Sequence, residues 1–360
     1  MSTDHWAKTF PVLRSSTYLN TATSGLLGEH LLEWRQEHDL DFLIGGSEAK
    51  SKTHLILKET RETIGTCFNF KGDHIALVPS FSQGLNLLLE GLSVQEKILL
   101  LKGDYPSLNW PFESRGFSIG YLEIGSDLEE QIYDRIKNEK YTVFACSVVQ
   151  WLNGIKIDFE FIKKLKADFP DLLIIMDGTQ FCGSEQFDFN TSGIDVIGAS
   201  GYKWLLSGYG NAFLMIKPAI QDRFQLKSTG FGSGRNATYQ KDGRDFCKHL
   251  EPGHLDSLCF GSLQKSLNFL LDIGFTSVTT QNQSLSQYAK DQFSSLGFLE
   301  KDVANRQVHS TIFNIKGKDH YQKLTNNHVV CAQRGDGTRL SFHFYNTKDD
   351  VDRVVEILKK

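Results

Sequence analysis

Asp177, Lys203 and a run of small hydroxyl residues each stand where an apolar stretch of chain ends. Residues 172–176 run straight into Asp177. Residues 194–198 lead into Ala199-Ser200-Gly201-Tyr202-Lys203-Trp204. Residues 75–78 lead into Pro79-Ser80-Phe81-Ser82-Gln83-Gly84, directly before an amphipathic stretch. Short apolar runs of this kind read as strands, and in an open α/β sheet ligands sit outside the carboxyl ends of the strands. An acid, a lysine and a hydroxyl-rich helix entry therefore collect along one edge. That set suits pyridoxal phosphate. The lysine forms a Schiff base with the cofactor aldehyde. The acid keeps the pyridinium nitrogen protonated, so the ring stays an electron sink. A helix N-terminus with free N–H groups holds the phosphate dianion.

The elements that must position these residues alternate along the chain. Residues 75–78, 97–101, 142–149, 172–176, 194–198 and 212–216 read as strands. Residues 82–92 and 159–168 read as helices, the second stopped by Pro170. The alternation predicts an α/β domain with a mostly parallel sheet. After about Arg223 the texture changes to a glycine-rich loop over 229–235, a helix over 263–273, and strands over 311–315, 328–332 and 339–344. Thr347, with Asp350 three residues on, predicts the N-cap of a final helix. The expected division is an N-terminal arm (1–16), a large α/β domain (17–249) and a small C-terminal α+β domain (250–360).

Composition narrows the function classes. The 360 residues carry 39 basic and 43 acidic side chains, a net charge of −4. There is no basic footprint for nucleic acid, and the apolar runs are too short to span a bilayer. Six scattered cysteines without a C-x-x-C pair read as reduced thiols of a cytoplasmic protein. The start, Met1-Ser2-Thr3-Asp4-His5-Trp6, lacks the basic and apolar regions of a signal peptide. No H-E-x-x-H or Walker A pattern is present, and Cys247 and His249 lack further ligands at metal spacing, so no metal site is expected. Gly232 to Ala237 formally matches G-x-G-x-x-A but follows no apolar strand, which argues against a dinucleotide site.

An ordered series of motifs resembles the class V aminotransferases, a family of fold-type I pyridoxal-phosphate enzymes with distant members of cysteine desulfurase, selenocysteine lyase and isopenicillin N epimerase type. The motifs are Tyr18-Leu19-Asn20-Thr21-Ala22-Thr23-Ser24-Gly25, Ser82-Gln83-Gly84-Leu85-Asn86, Met176-Asp177-Gly178-Thr179-Gln180, Ser200-Gly201-Tyr202-Lys203-Trp204, Glu251-Pro252-Gly253, and Arg339 to Thr347. The resemblance implies that Lys203 carries the cofactor and Asp177 pairs with its ring nitrogen. It further implies Gln180 at the ring hydroxyl, Ser82, the Gln83 N–H, Ser200 and Tyr202 at the phosphate, and Arg339 at the substrate carboxylate. Tyr105 is the candidate ring over the cofactor, with Trp110 second. Tyr202 stands where the family commonly has His, Gln150-Trp151 where relatives often place an Asn, and His254 where they often have a small hydroxyl residue. The resemblance implies a homodimer in which the Gly253 segment approaches the neighbouring subunit's phosphate.

The function expected is that of an aminotransferase acting on a small amino acid. The alternatives are a lyase of cysteine desulfurase or selenocysteine lyase type, or a racemase; fold does not choose among them. A cofactor-binding sensor is a further alternative, but nothing in the sequence resembles an added helix-turn-helix. Cys331, eight positions before Arg339, sits in the apolar run 328–332, which reads as a strand rather than a mobile loop.

Overall fold

The computed structural model describes residues 8–231, Ser233 and residues 244–360, without the side chains of residues 244 and 245. The arm read over 1–16 and the glycine-rich loop over 229–235 therefore lie partly outside the described residues.

A two-residue strand, β1 (Thr17–Tyr18), precedes helices α1 (Glu29–Gly45) and α2 (Ser47–Phe68). The central sheet then forms from β2 (Ile75–Val78), β3 (Lys97–Leu101), β4 (Ser118–Leu122), β5 (Val143–Ser147), β6 (Leu173–Asp177), β7 (Val196–Ser200) and β8 (Ala212–Ile216). Its order is β2-β8-β7-β6-β5-β3-β4. β8 runs against both of its neighbours, and the other six strands point the same way. Helices α3 (Phe81–Leu89), α4 (Pro106–Glu113), α5 (Leu128–Glu139) and α6 (Phe159–Asp168) connect these strands. The chain continues through α7 (Arg244–Lys248), α8 (Ser257–Ile273), α9 (Phe275–Ser295) and α10 (Lys301–Asn305). It ends with β9 (Ile312–Ile315), α11 (His320–Asn326), β10 (Val329–Val330), β11 (Ala332–Arg334), β12 (Gly337–Ser341) and α12 (Lys348–Lys359).

Side chains alternate across a strand, so a sheet covered on both faces is apolar at every position. β5 to β8 are buried throughout. Ile98, Leu100, Val143 and Ile175 pack with Leu85 and Leu88 of α3 and Phe112 of α4. On the other face Leu99, Phe144, Ile174 and Met176 pack with Phe68 of α2, Ile162 of α6, and Leu263, Leu267 and Leu270 of α8. A third core lies under the sheet β11-β12-β9, where Phe293, Phe313, Leu340, Phe342, Val351 and Val354 meet Leu19. Core membership therefore does not divide at 250. α8 fills the core of the central sheet, and Leu19 from the N-terminal part belongs to the third core.

Several elements differ from the sequence reading, which does not anticipate β4 or helices α1, α2, α5 and α9. β4 is an edge strand with exposed positions and a glycine, so it lacks a continuous apolar run. α9 is rich in Ser and Thr, which favour helices weakly, and its burial comes from tertiary packing. The run 328–332 is two short strands. β10 pairs parallel with β1 and β11 pairs antiparallel with β12, and Cys331 sits at their junction. The strand expected over 339–344 spans Gly337–Ser341, because Ser341 meets Leu19 and the chain then turns. Thr347 and Asp350 form a reciprocal capping box at the start of α12.

Candidate active site

Because β2, β3, β5, β6 and β7 point the same way, their carboxyl ends share one edge of the sheet. Those ends deliver Ser80 to Gln83, Asp104-Tyr105, Ser147 to Trp151, Asp177 to Gln180, and Ser200 to Lys203. Asp177 is the last residue of β6 and is 4 % exposed. Thr179 serves it twice, through its N–H to Oδ1 at 2.8 Å and through its hydroxyl. The Thr179 hydroxyl also accepts from the Ser200 N–H at 3.1 Å, tying the end of β7 to Asp177. Burial pushes the Asp177 carboxyl up to about 6, against the bonds from Thr179 and the charge of Lys203.

Lys203 is 5 % exposed, and its amine makes no hydrogen bond to a described residue. Its Nζ lies 5.3 Å from the ring centre of Tyr105 and 5.5 Å from that of Tyr202. Burial draws the amine down to about 8; Asp177 opposes that, and Arg339 and Arg334 add to it. The loop carrying Lys203 is held on both sides. The Gly25 N–H donates to the Tyr202 carbonyl at 2.8 Å. A Cβ at Gly25 would stand 2.0 Å from the Lys203 carbonyl oxygen, so only glycine permits this approach. The Trp204 indole donates to Gln180 Oε1 at 2.8 Å, and His343 Nε2 lies 3.1 Å from the Trp204 carbonyl. Gln180 Nε2 in turn donates to the Ala22 carbonyl at 3.0 Å.

At the start of α3, Ser80 is the N-cap, and its hydroxyl accepts from the Gln83 N–H at 3.2 Å, which engages the N–H expected at the phosphate. The Phe81 N–H donates to Ser200 Oγ at 3.0 Å. The Ser82 N–H has no protein partner among the described residues. Tyr202 stacks on Tyr209 with ring centres 4.7 Å apart, and burial raises its phenol. Tyr105 precedes α4 and packs edge-on against Trp151 at 6.0 Å. Trp110, further along α4, is 65 % exposed.

Arg339 reaches the same edge from β12. Its Nη1 donates to the Trp151 carbonyl at 2.6 Å and its Nη2 to Thr23 Oγ1 at 2.7 Å. The residue is 3 % exposed, and its buried Nε has no partner. Burial lowers the guanidinium to about 10, with Arg334 contributing, so it stays charged at neutral pH.

Sequence reasoning missed the residues that hold this set. Asp104 is buried and accepts from the Tyr105 N–H, the Ser147 N–H and hydroxyl, and Gln150 Nε2. It stands beside Tyr105, and its place after a strand is the signal that could have found it. Thr23, Thr179, Trp204 and His343 lie inside the quoted motifs, whereas Arg334 carries no local signal. His254 is not brought to Lys203. Its ring lies 4.6 Å from that of Phe231, in a separate cavity of about 660 Å³ that His38, Phe42, His54 and Gly253 also line.

The donor set fits pyridoxal phosphate. Lys203 and Asp177, both buried, stand at the same edge, yet among the described residues the amine has no hydrogen bond and no carboxylate within 4.0 Å. The free Ser82 N–H and the Ser200 hydroxyl, whose proton is not used toward Phe81, offer donors to a dianion at a helix N-terminus.

The Aminotransferase class-V family profile matches residues 44–354. The chain belongs to this family. An uncharacterized aminotransferase of Schizosaccharomyces pombe is 25 % identical over 331 residues, 84 % of this chain and 81 % of that protein. A probable cysteine desulfurase of Ureaplasma parvum is 25 % identical over 338 residues, 86 % of this chain and 83 % of that protein. Among solved structures, the apo cysteine desulfurase from Thermococcus onnurineus NA1 superposes with a TM-score of 0.85 at 17 % identity, covering 99 % of this chain and 97 % of that one. The architecture is fold type I. Among the described residues no helix is long and apolar enough to cross a membrane.

Proposed function

We propose that this class V enzyme is a pyridoxal-phosphate-dependent aminotransferase acting on a small amino acid, with Lys203 as its catalytic base and acid. The observation that carries this reading is the buried Lys203, whose amine has no hydrogen bond to a described residue, on the same edge as Asp177 and Arg339. When bound, pyridoxal phosphate supplies an aldehyde that condenses with amines and a ring that withdraws electrons from the substrate α-carbon. Asp177, ionised at neutral pH, pairs with the ring nitrogen and is held in place by Thr179. The Ser82 N–H and the Ser200 hydroxyl hold the phosphate, and Tyr202 borders it. Tyr105, whose main-chain N–H is held by Asp104, would supply the aromatic ring beside the cofactor. Gln180, held by Trp204 and Ala22, would donate its remaining Nε2 proton to the ring hydroxyl.

Arg339 binds the substrate carboxylate. Thr23 and the Trp151 carbonyl occupy one proton on each Nη, which leaves the second proton of each Nη for a carboxylate. Lys203 Nζ takes the proton from the substrate α-carbon and holds it for return. A base whose pKa lies near the working pH is suited to both halves of that task.

The desulfurase reading requires a thiol at the substrate. Cys331 is buried at the β10–β11 junction, and burial pushes its thiol up to about 12. The segment that follows is the short β11–β12 hairpin, without cysteine before Arg339. Cys146 and Cys182, near Asp177, are likewise buried and raised. These features support transamination over desulfuration. The six cysteines are free thiols, in keeping with a cytoplasmic setting. Single-turnover reaction of the loaded enzyme with a panel of amino acids, without acceptor, tests the proposal. One 2-oxo acid per site is expected; continuous release of pyruvate, sulfide or ammonia would assign a lyase.

A further inference from the structure

Arg334 and Arg339 occupy neighbouring positions on one face of the β11–β12 hairpin. Cross-strand pairing sets Ala332 opposite Arg339 and Arg334 opposite Gly337. In an antiparallel pair, opposed residues and those two apart share a face, and such diagonal neighbours lie about 7–8 Å apart. Ala332, Arg334, Gly337 and Arg339 therefore project on the same side. That side is the one from which Arg339 reaches Trp151 and Thr23. Asn314, paired with Arg339 on β9, belongs to the same face. Its Nδ2 donates to the Arg334 carbonyl at 3.0 Å, which fixes the backbone carrying Arg334.

Among the described residues the two arginines have no counter-charge. Neither has a carboxylate within 4.0 Å among the described residues. The one side-chain hydrogen bond of Arg334 to a described residue is to the adjacent Gln333 carbonyl, at 2.9 Å. Arg334 is half-buried, and its charge helps to depress both Lys203 and Arg339. The substrate α-carboxylate neutralises one of these guanidinium groups and leaves the other facing the site. Arg334 keeps part of its surface open, whereas Ala332, Gly337 and Arg339 around it on this face are buried.

We infer that Arg334 is a specificity residue that, beside Arg339, selects amino acids whose side chain ends in a second acidic group. This deepens the function proposed above and rests on Arg339 as the α-carboxylate site. A neutral side chain leaves the Arg334 charge uncompensated on binding, whereas an acidic one pairs with it through a charge-assisted bond.

The test is calorimetric titration of the pyridoxal-phosphate-loaded enzyme with two unreactive acids of equal chain length, succinate and butyrate, at low salt. Succinate is expected to bind at least tenfold more tightly. Arg334→Gln should bring the two affinities within about twofold, and Arg334→Lys should restore part of the preference. Equal affinities in the parent, no measurable succinate binding, or a preference that survives Arg334→Gln would each overturn the inference. Failure of the functional reading appears elsewhere, as a protein in which Lys203 carries no cofactor. These titrations use ligands without an amino group and read the arginines alone.

Discussion

Arg339 and Lys203 are the residues whose roles follow most directly from their surroundings. Arg339→Lys keeps a positive charge but loses the planar fork that two carboxylate oxygens require. Binding of every amino acid should weaken by about 1.5–3 kcal/mol, the cost of a charged hydrogen bond. Cofactor content should be unchanged, because Arg339 touches Thr23 and Trp151 and not the α3 N-terminus. Substrate titrations followed in the cofactor's visible spectrum read this, and equal affinities would move the carboxylate site elsewhere. The Lys203 amine predicts a pH dependence. Its pKa is lowered to about 8, so the neutral, nucleophilic form predominates above that pH and is lost below it. The rate at which apoprotein takes up pyridoxal phosphate should rise through pH 8 and level off. An exposed lysine would keep gaining up to about 10.4, so a rate still climbing at about pH 10 contradicts the buried amine.

At the scale of elements, the close crossing of the Gly25 segment over the Lys203 loop sets where the amine points. Gly25→Ala places a methyl 2.0 Å from the Lys203 carbonyl oxygen, with Leu206 at 2.8 Å. Backbone has to move, at about 1–3 kcal/mol. A lower melting temperature together with reduced cofactor occupancy is expected; a variant with unchanged melting temperature and occupancy would show that the crossing does not position the site. The sequence made the chemistry legible and left much of its support unread. Asp177 ends, and Lys203 follows, a strand that is buried on both faces, and such strands announce themselves as apolar runs. β4 and α9 did not, because an edge strand with polar positions and a Ser/Thr-rich helix owe their form to packing partners distant in sequence. Arg334 was invisible for the same reason. Its relation to Arg339 depends on the register of a hairpin, and the run 328–332 reads as one strand until β1 and β12 pair with different halves of it.

The whole molecule presents an apolar surface on α1. Leu40, Leu43 and Ile44 are 51, 81 and 78 % exposed. Contiguous exposed apolar residues mark interaction surfaces, and the cavity lined by Phe42, Gly253 and His254 adjoins this helix. A homodimer built on this face is proposed. The protein should run as a dimer in light scattering, and Leu43→Glu with Ile44→Glu should shift it toward monomer and lower its activity. A parent that is monomeric and fully active would remove the dimer from the account. The central claim is that Lys203 carries the cofactor, and borohydride reduction of the yellow holoenzyme followed by peptide mass spectrometry tests it most directly. The account predicts a reduced pyridoxyl adduct on the peptide containing Lys203. An adduct confined to any other lysine, or none on a protein that retains the cofactor, would contradict it.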